Sequence, residues 1–350
     1  MRLAYVDYHT CGEPVRIVTG GYPALAGATI LEKRRQARET HDHLRRAMML
    51  EPRGHDGMYG VIPVAASRPE AAFGVLFTHN EGYSTMCGHA TIALGRYAIE
   101  HGLVAPVEPV THFCIEAPCG LLRLACQVDG GKVGAVSFDS VPAFVEARDL
   151  AVALPGFGTV VTDIAYGGAY YCILPASRFG LDLFETPVEE IVAAAGALTD
   201  KVRASVAIAH PREPDLGFLY GTIVTDEAAP DAESFNLCVF AERQIDRSPT
   251  GSGVTARMAL GHVRGTIPAG RTRRFRSITG GAFTGRVVGP VAFPVAGAVT
   301  VEVGGTSHLA GEGSFVIEPD DPLGHGFALP RRFAEIPGAP AHSSIAAGSR

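Results

Sequence analysis

Tryptophan is absent from the 350 residues, and charged residues make up only 19% of the chain. Lysine is nearly missing as well. Lys33 falls in a basic helical face, Lys132 in a Gly-Gly turn and Lys201 in a polar segment, so none is an obvious Schiff-base residue for pyridoxal phosphate. The net charge of -6 gives no global attraction to nucleic acid or anionic membrane, and no basic stripe is interleaved with aromatics. Seven cysteines without a C-x-x-C pair argue against a disulfide framework or a zinc ribbon. The spacings of Cys114, Cys119 and Cys126 match no common metal site, so core thiols and no bound metal are expected. The longest near-apolar run, Val287 to Val301, is interrupted by Gly289, Pro290, Pro294 and Gly297 and is too short to span a bilayer; it reads as strands with a turn. Near the N-terminus, Asp7, His9 and Glu13 stand where a secretory signal needs an apolar stretch. A cytoplasmic protein acting on a small molecule, away from nucleic acid and membrane, is the expectation.

What is present is a hydrophobic content of 47% with 42 glycines and 24 prolines, which suits many short elements joined by turns. The length exceeds the roughly 250–300 residues at which single cores stop growing, so two domains are expected. Strand patterns cover Ala4 to Tyr8, Val15 to Thr19, Gly74 to Thr78, Phe113 to Ala117, Gly120 to Val128 and Val133 to Phe138. Helices are predicted over Thr29 to Leu50, with a solvated face of arginines and acids, and over Pro187 to Ala197. His41 and His43 in the first of these do not share a helix face and read as polar surface.

The most informative feature is an internal echo. The segment GVLFTHNEGYSTMCGHATIALG is answered by LCVFAERQIDRSPTGSGVTARMALG, with Thr250 lying 163 residues after Cys87. Phe77 and Phe240 each close a strand-like run ten residues before those positions. A polar loop follows, and Cys87-Gly88 or Thr250-Gly251 then opens a helical pattern.

Two facing helix starts offer free N–H groups and positive dipole ends, enough to hold a carboxylate without arginine. Gly88, His89, Gly251 and Ser252 are the candidate donors. At such a position the Cys87 thiol is expected to be acidified into a thiolate base. Asp246, just before Thr250, is a candidate for holding a substrate ammonium. Together these groups predict removal of the α-proton of a small amino acid by electrostatic stabilisation in a dry pocket, without a cofactor.

At these residues the sequence resembles the proline racemase superfamily. The blocks DYHTCGEPVRIVTGG, RGHDGMYGVI, MCGHATIALG, AYGGAYY, DRSPTGSGVTARMA and FVIEPDDPLGHGF carry the resemblance nearly end to end. It implies an α+β, diaminopimelate-epimerase-like fold of two pseudo-symmetric domains, each a β-barrel-like sheet around a central helix. Residues 1–150, rejoined by 315–350, would carry Cys87, and residues 151–314 would carry Thr250, with the active site in the cleft. The resemblance also implies a homodimer and no cofactor. Racemases and epimerases of this family place a cysteine at both repeat positions. Cysteine followed by threonine, as here, resembles the members that dehydrate trans-3-hydroxy-L-proline. In that isomer the 3-hydroxyl and the α-hydrogen share one face, so Cys87 alone could take the proton and return it to the leaving hydroxyl. Thr250 would shape the opposite face, and Asp246 with His89 would lie near the ring nitrogen. Ala90 and Ser252 stand where relatives often have Gly and Thr, small departures that bear on ring-substituent preference.

The alternatives are a proline racemase or hydroxyproline 2-epimerase that tolerates Thr250, and a non-catalytic amino-acid binder. A nucleotide-dependent oxidoreductase is a more distant one, since Gly251 to Ala256 fits G-x-G-x-x-A. Against that last idea, no acidic residue lies between Asp246 and Glu302 to bind a ribose.

Overall fold

The computed structural model describes residues 1–229 and 232–329. Among them, eighteen connected strands and five α-helices form an α+β fold: α1 (Ile30–Thr40), α2 (Asp42–Met49), α3 (Gly88–Glu100), α4 (Val188–Ser205) and α5 (Gly251–Val263). Every strand named from the sequence is present, extended at its ends by up to three residues. The run from Val287 to Val301 divides between strands Ala282–Pro290 and Val299–Gly305, which pair antiparallel.

Helices α3 and α5 are buried on almost every side, which is the pattern of a helix enclosed by other elements rather than laid on a surface. Strands Arg2–Thr10, Glu13–Gly20, Gly120–Asp129, Lys132–Asp139 and Ser307–Val316 pack around α3. Strands Phe144–Leu154, Gly158–Tyr166, Tyr170–Pro175 and Ala282–Pro290 pack around α5. The chain returns to its start: Ser307–Val316 pairs antiparallel with Arg2–Thr10, and Val299–Gly305 with Lys132–Asp139. Positions 330–350 of the expected return lie outside the described residues.

The sequence echo is a structural repeat. Phe73–His79 pairs with Tyr83–Ser84 just before α3, and Ser234–Phe240 pairs with Gln244–Asp246 just before α5; both helices run 13 residues.

Two expectations are corrected. The single helix over Thr29 to Leu50 is broken at His41, whose backbone leaves helical geometry. The Thr40 hydroxyl donates back to Gln36 O at 2.7 Å, while Asp42 starts a new helix and is chelated by Arg45 at 2.6 and 2.9 Å. Nor is this face uniformly solvated. Lys33, Arg34 and Arg45 are buried, and their charged ends donate to the carbonyls of Ala65, Tyr83 and His79. Helix α4 continues past Ala197 to Ser205, because Ile191, Ala194, Leu198 and Val202 keep a buried stripe across Gly196.

Candidate active site

Helices α3 and α5 meet start to start. A Cβ added to Gly88 would lie 2.3 Å from Gly251 Cα, and one on Gly251 would lie 2.5 Å from Gly88 Cα. Only glycine at both positions permits that approach. It also accounts for the glycines of the G-x-G-x-x-A stretch: Gly251 faces another helix, and a Cβ on Gly253 would meet Ile223 and Thr250, leaving no need for a pyrophosphate.

Between the two helix starts is a small cavity lined by Glu13, Tyr59, Met86, Cys87, Gly88, His89, Tyr171, Tyr220, Cys238, Phe240, Asp246, Thr250, Gly251 and Ser252. All seven residues singled out from the sequence are on its wall. No lining side chain is more than 8% exposed, so the site is deeply buried.

Cys87 caps α3 in extended conformation, and its sulfur accepts from Ala90 N at 3.4 Å. The Gly88 and His89 N–H groups belong to the first turn and have no carbonyl four residues back to serve. Thr250 holds the equivalent place on α5 with a backbone φ of +64°, a left-handed conformation costly for a β-branched residue. Its Oγ1 is buried without a hydrogen-bond partner among the described residues. Neighbouring bonds hold that turn: Ser248 Oγ accepts from Thr250 N at 3.1 Å, and Asp246 accepts from Ser248 N at 2.8 Å. Ser252 is fixed by a 2.7 Å bond between its hydroxyl and that of Tyr171.

The expected acidification of Cys87 is overturned. Burial pushes the thiol well above its ordinary value and outweighs the Ala90 N–H; the nearby Asp246 and Glu13 carboxyls push the same way. The reading of His89 changes too. Its Nδ1 lies 3.1 Å from Cys87 Sγ and its Nε2 3.3 Å from the Pro14 carbonyl. Burial, with Arg247 nearby, lowers its pKa to about 3, so the ring is neutral. A neutral ring donating through Nε2 to Pro14 must accept through Nδ1, which suits a Cys87 S–H. The imidazole therefore faces the sulfur, and only the His89 backbone N–H remains for the cradle. Asp246 is buried rather than solvated, and burial raises its pKa.

Sequence reasoning missed Glu13, Tyr59, Tyr171, Tyr220 and Cys238 as site residues. The first three lie inside the quoted blocks, but nothing local marks them off from their neighbours. Cys238 and Phe240 are two apart in one strand and so share a face, a signal that predicts burial but not which cavity.

A sequence model described as proline racemase matches residues 5–328. A protein of Xenopus tropicalis named trans-L-3-hydroxyproline dehydratase is 51% identical over 331 residues, covering 93% of this chain and 95% of its own. The trans-3-hydroxy-L-proline dehydratase of Homo sapiens is 50% identical over 336 residues, covering 93% and 94%. Among solved structures, a hydroxyproline epimerase from Agrobacterium vitis with bound trans-4-hydroxy-L-proline superposes with a TM-score of 0.88 at 26% identity, covering 94% of this chain and 95% of that one.

Proposed function

This chain belongs to the proline racemase family, and from that premise we propose that it is a hydro-lyase that dehydrates trans-3-hydroxy-L-proline without a cofactor. The observation that carries the proposal is the asymmetry of the repeat: one cavity has a thiol at the start of α3 and a hydroxyl at the start of α5. A racemase needs an acid–base group on each side of the α-carbon. A threonine hydroxyl is too weakly acidic for the second side, whereas a syn elimination needs only one.

In this reading the substrate carboxylate rests on the N–H groups of Gly88, His89, Gly251 and Ser252, and Asp246 takes the ring ammonium. That ammonium brings positive charge beside a sulfur already held by Ala90 N–H. Ionisation of Cys87 is thus coupled to binding, which offsets the burial that raises the thiol's pKa. Cys87 then removes the α-proton, the 3-hydroxyl departs, and the enamine pyrroline-2-carboxylate forms and tautomerises to the imine. The division at about residue 150, a homodimer and residence in the cytoplasm complete the proposal, with the family resemblance as their support.

The test is incubation of the purified, metal-free protein with trans-3-hydroxy-L-proline, trans-4-hydroxy-L-proline and L-proline. The pyrroline is trapped with an aromatic aldehyde, and the amino acids are resolved by chiral chromatography. Pyrroline from the 3-hydroxy isomer is the expected product; an epimer with no pyrroline would establish the epimerase instead. A second expectation concerns the far face. Thr250→Cys should place a thiol there and make deuterium-labelled D-proline from L-proline in heavy water, at least about tenfold above the parent, since a well-placed acid–base group is worth roughly 10²–10⁴-fold. Unlabelled D-proline, or none, would mean that position 250 does not face the α-carbon.

A further inference from the structure

Glu13 has no assigned part in the reaction, yet it is the most deeply buried acid of the cavity, with 0% exposure. Its two oxygens differ. Oε2 accepts from Arg247 N at 2.7 Å and pairs with Arg247 Nε at 3.0 Å. Oε1 is buried and has no hydrogen-bond partner among the described residues. A buried carboxyl oxygen left open beside a ligand cavity is costly unless a ligand group completes it.

Its place in the chain links it to the reacting thiol. The next residue, Pro14, accepts from the His89 ring, whose other nitrogen touches the Cys87 sulfur at 3.1 Å. The carboxyl thus enters the cavity from the strand whose next residue holds the His89 ring against Cys87, and on the dehydratase reading it is placed to reach the 3-hydroxyl.

We propose, on the dehydratase reading given above, that Glu13 is the acid that gives its Oε1 proton to the departing 3-hydroxyl. The electron count closes. Cys87 thiolate takes the α-hydrogen as a proton, and the C–H pair becomes the Cα=C3 π bond. The C3–O bond breaks with its pair on oxygen, and that oxygen takes the Glu13 proton and leaves as water. Glu13 ends as carboxylate and Cys87 as thiol, and one proton passing from sulfur to carboxylate resets both.

Two features suit Glu13 to this work better than the returning Cys87 proton. Burial raises its pKa well above the ordinary carboxyl value, and the neighbouring charge of Asp246 adds to this against the pull of Arg247. Two carboxyls in one buried cavity do not both ionise readily, which divides their roles: Asp246 as anion for the ammonium, Glu13 as acid. A carboxylic acid is also intrinsically a stronger donor than a thiol. Expelling an unprotonated hydroxide into a buried cavity would be far harder.

The experiment uses the full chain and its Glu13→Gln and Glu13→Asp variants with trans-3-hydroxy-L-proline in heavy water. Pyrroline formation and α-deuterium in the unreacted substrate are followed together. Glu13→Gln is expected to lose about 10²-fold or more of pyrroline formation, the usual worth of a general acid. Its remaining substrate should gain α-deuterium, because Cys87 still removes the proton and the carbanion is recaptured when the hydroxyl cannot leave. Glu13→Asp should recover part of the lost rate. Pyrroline formation by Glu13→Gln within threefold of the parent would overturn the assignment. So would its loss without α-deuterium in either variant, which would make Glu13 a support for proton abstraction or for the fold. If the parent itself makes no pyrroline, it is the dehydratase reading that fails, a result distinct from either.

Discussion

Cys87→Ser is expected to lower pyrroline formation by about 10³-fold or more while leaving the fold intact. Serine is among the best helix N-cap residues, so the bond that Cys87 Sγ now takes from Ala90 N can be kept and α3 should start where it does. What is lost is an ionisable group. A serine hydroxyl is not deprotonated near neutral pH, and the neighbouring His89 cannot compensate, since burial holds that ring neutral and its pKa at about 3. A general base is worth roughly 10²–10⁴-fold, and losing a base that is also the nucleus of the site belongs at the upper part of that range. The rate is read by trapping the pyrroline, and the fold by thermal unfolding. A variant that keeps more than a tenth of the parent rate would remove Cys87 from the role of base.

The second large effect is expected from Gly88→Ala, which adds one methyl group and no charge. That methyl would sit 2.3 Å from Gly251 Cα and 3.0 Å from Gly251 C and N, all backbone atoms that cannot rotate aside. The two helix starts must separate, and with them the four N–H groups proposed to hold the carboxylate. A displacement of about 1 Å at a reacting centre can cost 10²-fold, and overpacking of this kind typically destabilises by roughly 1–3 kcal/mol. Gly251→Ala should behave alike, since its methyl would meet Gly88 Cα at 2.5 Å. Gly289→Ala is the control, with no heavy atom within 4 Å of the added carbon. Turnover of Gly88→Ala within threefold of the parent would show that the contact between helix starts is not what positions substrate.

The repeat was legible because it is written locally. A strand, a polar loop and a cap residue followed by glycine recur at Cys87 and Thr250, and both copies open helices that face one cavity. Asp246 was legible for the same reason, lying four residues ahead of Thr250. The break at His41 was not, because apolar and charged periodicity continues across it. Glu13 was read only as a polar residue near the N-terminus and as part of a block; its distinction comes from Arg247, which occupies one of its oxygens.

The charge of the sulfur shows the boundary most sharply. Placement of a thiol at a helix start is a property of a few consecutive residues and favours ionisation through nearby N–H groups. Burial is a property of the assembled cavity, made by Tyr59, Tyr171, Tyr220 and Phe240 from strands far apart in the chain, and it acts the other way with greater force. Sequence alone determined which groups would meet and on which helix ends, since those follow from short-range chemistry. Tertiary structure decided how buried the meeting place is, which way the His89 ring turns and which further acid lines the cavity with the thiol, since dielectric and contact depend on atoms that only folding brings together.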